Sequence, residues 1–285
     1  MTMPVHRLTL RCAGRARCGF TLIELLVVVG IIAVLIAVLV PSISAARRHA
    51  QAVKSAANLR SWGQAQQMHA KDNKDRLAWE GDSNTDNVAD DMAAKDWWGH
   101  VLPPLVGHES YRNTSEERSQ VPLPSNARNS IFIDPVAEEP PEVPYAQTGV
   151  GANPGKTVHF FFCYVPNSGL TRTINRKAGV NTNRVSLSSI KNASRTITML
   201  EMRTTPGELK PGQPFRSDAL NRAKANWRRS AARHFGGAHL LFADSHVDRY
   251  KYEEMTTIQE RDAVEPSQPG YNTGKLIWDP FGAAN

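Results

Sequence analysis

An apolar run near the N-terminus constrains this chain more than any other feature. Residues 20–40 are hydrophobic apart from Thr21, Glu24 and Gly30, and Pro41 follows directly. At about 1.5 Å of rise per residue, a helix of this length reaches roughly 30 Å, the thickness of a bilayer's hydrocarbon core. A helix also satisfies its own backbone hydrogen bonds in lipid. We therefore expect a transmembrane segment over residues 20–40.

Glu24 is the anomaly within this run. A carboxylate in a spanning segment costs on the order of 3 kcal/mol, so we expect it to have a use. A short leader with four arginines and no acidic residue precedes the run and ends at Gly19. This leader, followed by Gly-Phe-Thr-Leu-Ile-Glu (residues 19–24), resembles the processing signal of type IV prepilins and type II secretion pseudopilins.

The resemblance implies a maturation pathway and a location. A prepilin peptidase would cleave between Gly19 and Phe20 and methylate the new Phe20 amine. Glu24 would then help to dock one subunit against the next, with a neighbour's terminal ammonium as its partner, as a carboxylate in an apolar bundle requires. Pro41 resembles the proline that bends pilin helices. The implied location is the inner membrane, with a single pass and an extracytoplasmic C-terminal domain, and the basic leader agrees with this orientation.

Two other N-terminal segments share some of these properties. An uncleaved signal anchor has the same apolar length but needs neither Glu24 nor the preceding Gly19. A secretory signal peptide would use the small residues Ser44-Ala45-Ala46 as its cleavage site. The length of the apolar run and the charge inside it favour the prepilin interpretation.

Charge and cysteine content limit what the rest of the chain does. The 285 residues carry 34 basic and 27 acidic side chains, a formal charge of +7. Without the four leader arginines the balance is 30 to 27, or +3, so we expect no nucleic-acid partner. Cys12 and Cys18 lie in the leader, which leaves Cys163 without an internal disulfide partner.

The resemblance implies an α+β, pilin-like fold, which patterning divides into three parts: a leader (1–19), a long N-terminal helix (20–73) and an exported β-rich domain (74–285). Apolar residues recur every three to four positions after Pro41, and Leu59, Trp62 and Met68 are expected to face an antiparallel sheet. The predicted strands are Ile131–Ile133, a central Thr157–Val165, Arg195–Met202, and a hairpin of Ala238–Ala243 with His246–Tyr252.

Residues 78–128 are rich in loops. Asp82, Asp86, Asp90 and Asp91 do not have the spacing of a calcium-binding EF-hand loop, so we interpret them as a solvated acidic loop. Trp97-Trp98 is interpreted as an anchor onto the domain; an exposed aromatic pair for binding is the alternative.

A second resemblance lies near the C-terminus. His234 is followed after nine residues by Asp244-Ser245. This resembles the His-X9-Asp-Gly signature of a branch of prepilin-like proteins that is numerous in planctomycete-type bacteria, with Ser245 in place of the glycine. The strand that ends near Glu201 also resembles the penultimate segment of that branch.

The histidines around this signature raise the question of a metal. With a two-residue loop, His239 and His246 would lie about 13 Å apart, too far to share an ion; a weak site at His246 and Asp248 stays open. We expect Leu240, Phe242 and Val247 to fill the core from one face, with a polar opposite face. His234 and Asp244 would fix the hairpin by hydrogen bonds, so we predict neither metal nor cofactor.

The sequence therefore predicts a structural protein rather than an enzyme. It contains no nucleophile elbow, phosphate-binding loop or zinc-hydrolase motif. The resemblance implies a subunit of a type II secretion pseudopilus or type IV pilus-like fibre, whose partners are the prepilin peptidase/methyltransferase, other pilin-like subunits and the membrane. The alternative is a membrane-anchored extracytoplasmic binding module that does not polymerise. An anchored hydrolase is a third hypothesis, for which no catalytic residue can be named.

Overall fold

The computed structural model describes residues 21–80, 95–111, 130–138, 143–144, 157–158, 163–170, 185–208, 225–255 and 275–280. The chain divides into two compact units, Met1–Arg47 and Arg48–Asn285. Each unit is described separately below, and the second, Arg48–Asn285, is called the globular unit.

The longest element is the helix α1, Leu22–Asp72, with 51 residues. It continues through Pro41, whose ring nitrogen has no hydrogen to donate. Next to the proline, the hydroxyls of Ser42 and Ser44 donate to the carbonyls of Val38 and Val40 at 3.1 and 3.0 Å. The helix ends where Lys74 and Asp75 adopt positive φ angles of 56° and 63°.

In the second unit, α1 buries a stripe of small and aromatic side chains with helical spacing. Leu59 and Trp62 are fully buried as predicted, whereas Met68 is exposed, which corrects that expectation. α1 also comes close to the sheet at Gly63, where an added Cβ would lie 2.8 Å from Leu241 Cδ1. Glycine therefore permits this close contact between helix and sheet.

The sheet has four antiparallel strands in the order β3-β4-β5-β6. These are β3 (Tyr164–Pro166), β4 (Ile197–Glu201), β5 (Gly237–Phe242) and β6 (Val247–Lys251). Two shorter strands, β1 (Val143–Pro144) and β2 (Thr157–Val158), form a separate antiparallel pair. The short helices are α2 (Trp98–Val101) and α3 (Tyr252–Met255). A long N-terminal helix packed on a four-stranded antiparallel sheet confirms the predicted α+β, pilin-like fold class.

Aromatic side chains form much of the core. Trp62 of α1 lies edge-on to Trp98 and Phe132, with ring centroids 5.2 Å apart in both pairs. Trp97 is also fully buried and contacts Tyr111. The prediction that the tryptophan pair anchors its segment to the domain is confirmed, and the exposed alternative is wrong.

Two strand predictions need correction. Residues 131–133 form a buried turn rather than a strand, in which Ile133 N donates to Ser130 O at 3.2 Å. The predicted central strand 157–165 contributes β2 and β3, with residues 159–162 outside the described set, and β3 lies at one edge of the four-stranded sheet. β3 is nevertheless buried, because Ala225 N donates to Pro166 O at 2.9 Å and this segment lies beside the edge.

The β5–β6 hairpin has a three-residue loop, so its predicted register is wrong by one residue. His239 pairs with Arg249 and Leu241 with Val247. Ser245 closes the loop in the left-handed region, with φ at 70°, and its N–H donates to Phe242 O at 2.9 Å. A residue with this conformation commonly ends a three-residue hairpin loop. Val247 therefore shares a face with Leu241, which is fully buried, so the face predicted to be polar is also part of the core.

Candidate functional site

The N-terminal segment is the first candidate site. Gly19 and Phe20, the predicted processing residues, lie outside the described residues. Glu24 accepts hydrogen bonds from Thr21 N at 2.9 Å and Thr21 Oγ1 at 2.8 Å, and Glu24 N donates back to Thr21 Oγ1 at 3.2 Å. This reciprocal arrangement is a capping box, which satisfies backbone donors at the start of α1. Within one chain, Glu24 is therefore both a helix cap and an exposed charge.

The apolar residues that follow are exposed. Every leucine, isoleucine and valine from Leu22 to Val40 keeps about half or more of its surface accessible. Among the described residues, α1 is the one helix that is long and apolar enough to cross a bilayer, judged by length and composition. A continuous apolar surface of this size is unfavourable in water and indicates a lipid or protein environment.

The second candidate site is a group of buried polar side chains between α1 and the sheet, which we call the buried His–carboxylate cluster. Three of its members, Tyr164 of β3, Glu201 of β4 and His239 of β5, lie side by side across the sheet. Tyr164 pairs with Glu201. Leu200 pairs with Leu240, so in this antiparallel register the next residue, Glu201, lies beside His239. Ser55 of α1, Asp134 and His234 complete it. All six residues are at most 7% exposed.

Ser55 lies at the centre of the cluster. Its Oγ is 2.6 Å from Asp134 Oδ2 and 2.8 Å from Tyr164 OH, and it also contacts Glu201 Oε1. Asn58, one turn further along α1, donates to Tyr164 OH at 3.3 Å. Polar contacts therefore connect the helix to the sheet at this point.

The two histidines face the two carboxylates. His234 Nε2 lies 2.8 Å from Asp134 Oδ2 and 3.6 Å from Glu201 Oε1. His239 Nδ1 lies 2.7 Å from Glu201 Oε1, and the His239 backbone N–H donates to Glu201 Oε2 at 2.9 Å. The imidazole centroids are 5.0 Å apart. Both rings are therefore directed at the same small volume.

Burial and neighbouring charges shift the pKa values of Asp134 and His234 in opposite directions. Burial disfavours ionisation of Asp134, but the hydrogen bond with His234 and the charge of Arg233 outweigh it and hold the pKa of Asp134 below its ordinary value. Burial lowers the pKa of His234, while the hydrogen bond to Asp134 and the charge of Glu201 raise it to a net value above the ordinary one. Burial raises the pKa of Tyr164 well above its usual value. Both pKa shifts favour the state in which Asp134 is ionised and His234 is protonated.

A second buried ion pair lies beside the cluster. Arg233 donates from Nε and Nη2 to the two carboxylate oxygens of Glu208 at 2.7 and 2.6 Å, and from Nη2 to Met202 O at 2.7 Å. Both side chains are less than 5% exposed. The two-pronged geometry pairs Arg233 with Glu208, and the charge of Arg233 also helps to lower the pKa of the nearby Asp134.

The two residues of the C-terminal signature have different surroundings. His234 is in the cluster, and its backbone exchanges hydrogen bonds of 3.1 Å with Gly237 across a tight turn. Asp244 lies in the hairpin loop, where its Oδ1 accepts from His246 N at 3.2 Å and lies 2.5 Å from His246 Nδ1. His246 is accordingly bonded to Asp244, whereas His239 is bonded to Glu201.

Sequence reasoning finds three of the six cluster residues and misses the other three. His234, His239 and Glu201 lie in the segments that resemble the C-terminal signature, whereas no pattern singles out Ser55, Asp134 or Tyr164. These residues come from segments up to 146 positions apart, as the Ser55–Glu201 contact shows. No spacing in one sequence indicates such a group. The acidic residues Asp82, Asp86, Asp90 and Asp91 lie outside the described residues.

Comparison with known proteins bears on the N-terminal segment. A family model described as the prokaryotic N-terminal methylation motif matches residues 14–40. No curated protein and no solved structure matches the chain. The matched range contains the end of the leader, Gly19, Phe20, Glu24 and the exposed apolar half of α1. The chain therefore carries a prepilin-type signal at its N-terminus.

Proposed function

We propose that this chain is a structural subunit of a type II secretion pseudopilus or a type IV pilus-like fibre. It is made as a prepilin, cleaved between Gly19 and Phe20 and methylated at Phe20. The inner membrane holds it through residues 20–40, with the globular unit outside the cytoplasm, until neighbouring subunits take up the helix.

The match of residues 14–40 to the methylation motif carries this proposal. The exposed apolar surface of α1 supports it, because leucine, isoleucine and valine side chains on all sides of a helix need either lipid or the helices of other subunits. The pilin-like arrangement of a long helix and an antiparallel sheet agrees with it.

Glu24 gives the proposal its mechanism. In the fibre, the carboxylate would pair with the Phe20 ammonium of a neighbouring subunit, in an apolar environment. Removing one partner of a buried ion pair costs about 3–5 kcal/mol. At about 1.4 kcal/mol per factor of ten, each subunit addition would weaken by at least 100-fold.

The test compares two variants that separate the two roles of Glu24. Glu24→Gln keeps an acceptor for the capping box but removes the charge, whereas Glu24→Ala removes both. We expect both to be cleaved, inserted in the membrane and folded, and both to lose assembly. Mass spectrometry of the mature N-terminus, membrane fractionation, tryptophan fluorescence and microscopy of sheared fibres measure these four steps at equal amounts of processed protein.

Other outcomes contradict particular parts of the proposal. Normal assembly of Glu24→Gln with failure of Glu24→Ala would assign Glu24 to helix capping alone. Normal assembly of both variants, or no fibres from the wild-type chain in its native host, would favour the anchored binding module. A mature protein that starts at Arg47 would identify residues 1–46 as a secretory signal peptide.

A further inference from the structure

Three potential metal-ligand atoms converge in the buried His–carboxylate cluster. A Glu201 carboxylate oxygen and one ring nitrogen each of His234 and His239 all lie within 4.8 Å of one another. We propose that these three side chains bind one divalent transition-metal ion, with zinc as the reference ion and the Asp134 carboxylate as the adjoining fourth ligand. This site involves the globular unit alone and does not depend on the proposed fibre function.

The distances are close to those of a four-coordinate site. With zinc–ligand bonds of about 2.0–2.1 Å, the ligand atoms of a tetrahedral ion lie roughly 3.3 Å apart. His234 Nε2 is 3.6 Å from Glu201 Oε1 and 2.8 Å from Asp134 Oδ2. His239 Nδ1 is 2.7 Å from Glu201 Oε1. These three distances differ from that spacing by at most about 0.6 Å, and the nitrogens of His234 and His239, which lie within 4.8 Å of each other, would have to approach by up to about 1.5 Å.

The donor set selects the class of ion. Two imidazole nitrogens with carboxylate oxygens suit zinc and its neighbours in the first transition row, whereas calcium and magnesium prefer all-oxygen sites. Two carboxylates, two neutral imidazoles and one divalent ion sum to zero charge. A neutral group is what a site with fully buried Asp134 and Glu201 requires.

The hydroxyl of Ser55 supplies a second argument for a cation. Its one proton cannot be donated to both Asp134 and Glu201, although its oxygen contacts a carboxylate oxygen of each. Without a metal, the cluster needs a further proton on a carboxyl group to make both contacts favourable. A bound divalent ion would lower this cost, because it offsets the negative charge of both carboxylates while Ser55 donates to one of them.

The three ligand side chains differ in exposure. The His239 side chain is 9% exposed, while those of His234 and Glu201 are 2% and 0% exposed. His239 therefore lies on the solvent side of the site. A metal here would join β4, β5 and the segment around Asp134, in a globular unit whose Cys163 is buried as a free thiol.

The experiment measures zinc binding by the full chain in detergent, purified without a histidine tag. Cys12→Ser and Cys18→Ser are included throughout, because leader thiols would bind zinc themselves. The cluster variant is His239→Gln, and the matched control is His246→Gln, an exposed histidine bonded to Asp244. Elemental analysis gives the stoichiometry, a competing chelator gives the affinity, and tryptophan fluorescence gives the melting temperature with and without zinc.

We expect one equivalent of zinc and a higher melting temperature on its addition for the background protein and for His246→Gln. The affinity of His239→Gln should fall by at least about 100-fold, more than loss of an outer-shell partner usually causes. Equal zinc binding by both variants would overturn the proposal, since the ion would then lie elsewhere.

Cobalt substitution tests the site without altering it, in case His239→Gln fails to fold. Co²⁺ bound by the background protein should give the visible absorption bands of four-coordinate nitrogen and oxygen ligation, and zinc should displace it. If the folded background protein binds less than a tenth of an equivalent of either ion, the proposal is wrong and the cluster is held together by protons alone.

Discussion

Replacing Ser55 with alanine tests whether the polar centre of the helix–sheet interface stabilises the globular unit. The substitution removes one buried hydroxyl that contacts Asp134, Tyr164 and Glu201. Ser61→Ala is the matched control, because Ser61 is on the same helix and donates only to the carbonyl of Ala57, at 3.2 Å.

The expected magnitude follows from the contacts that remain. After Ser55→Ala, Asp134 still has His234 at 2.8 Å and Glu201 still has His239 at 2.7 Å, so neither carboxylate loses all its partners. The free energy of unfolding should therefore fall by about 1–3 kcal/mol, as for a lost buried hydrogen-bonding group, rather than by the larger cost of an isolated charge. Both variants gain about 0.5 kcal/mol of helix propensity, which cancels in the comparison.

The assay is thermal melting of the detergent-solubilised full chain, followed by tryptophan fluorescence. All six tryptophans lie at position 62 or beyond, so the signal reports on the globular unit. For a unit of this size, about 2–4 °C per kcal/mol predicts that Ser55→Ala melts roughly 2–12 °C below Ser61→Ala. If the two variants melt within about 1 °C of each other, the reasoning is refuted, because the hydroxyl would then give no net stabilisation.

Two further substitutions test other parts of the globular unit. Ser245→Gly should raise the free energy of unfolding by about 0.5–1 kcal/mol, because glycine relieves the left-handed conformation at φ 70°, whereas Ser245→Ala should give no gain; equal melting temperatures for the two would contradict this. Glu208→Gln should cost about 3–5 kcal/mol, because it leaves the buried Arg233 without its ion-pair partner. Glu253→Gln, at an exposed position, is the control, and a shift no larger than the control's would show that the ion pair contributes nothing.

The parts of the fold that were predictable are those governed by local pattern. The apolar run, the helical spacing around Leu59 and Trp62, and the β-rich segment ending near Glu201 each depend on neighbours within one element. The predicted hairpin register was wrong because the loop length depends on Ser245 adopting a left-handed conformation, which residue type alone does not indicate. The apolar sequence of β3 predicts a central strand. β3 instead lies at one edge of the sheet, where the segment around Ala225 covers it in place of a second neighbouring strand.

The buried His–carboxylate cluster was beyond sequence reasoning for a different reason. Local patterns place His239 and His246 on one strand pair and give only the distance between them. The partner of His239 is instead Glu201, on the neighbouring strand, and that of His234 is Asp134, 100 positions earlier in the chain. Such contacts follow from the order of strands in the sheet, which local patterns do not specify.

The position of Ser55 also explains how the interface specifies one helix register. Apolar helix faces with residues every three to four positions pack almost equally well after a slip of one turn, about 5.4 Å. A slip of three or four residues would bring Gln51, Ala52, Asn58 or Leu59 to the place of Ser55, opposite Asp134 and Glu201. Ala52 and Leu59 cannot donate a hydrogen bond, and the side chains of Gln51, Asn58 and Leu59 are all larger than that of serine. Two buried carboxylates that require a small donor at one point along α1 therefore penalise these slipped registers.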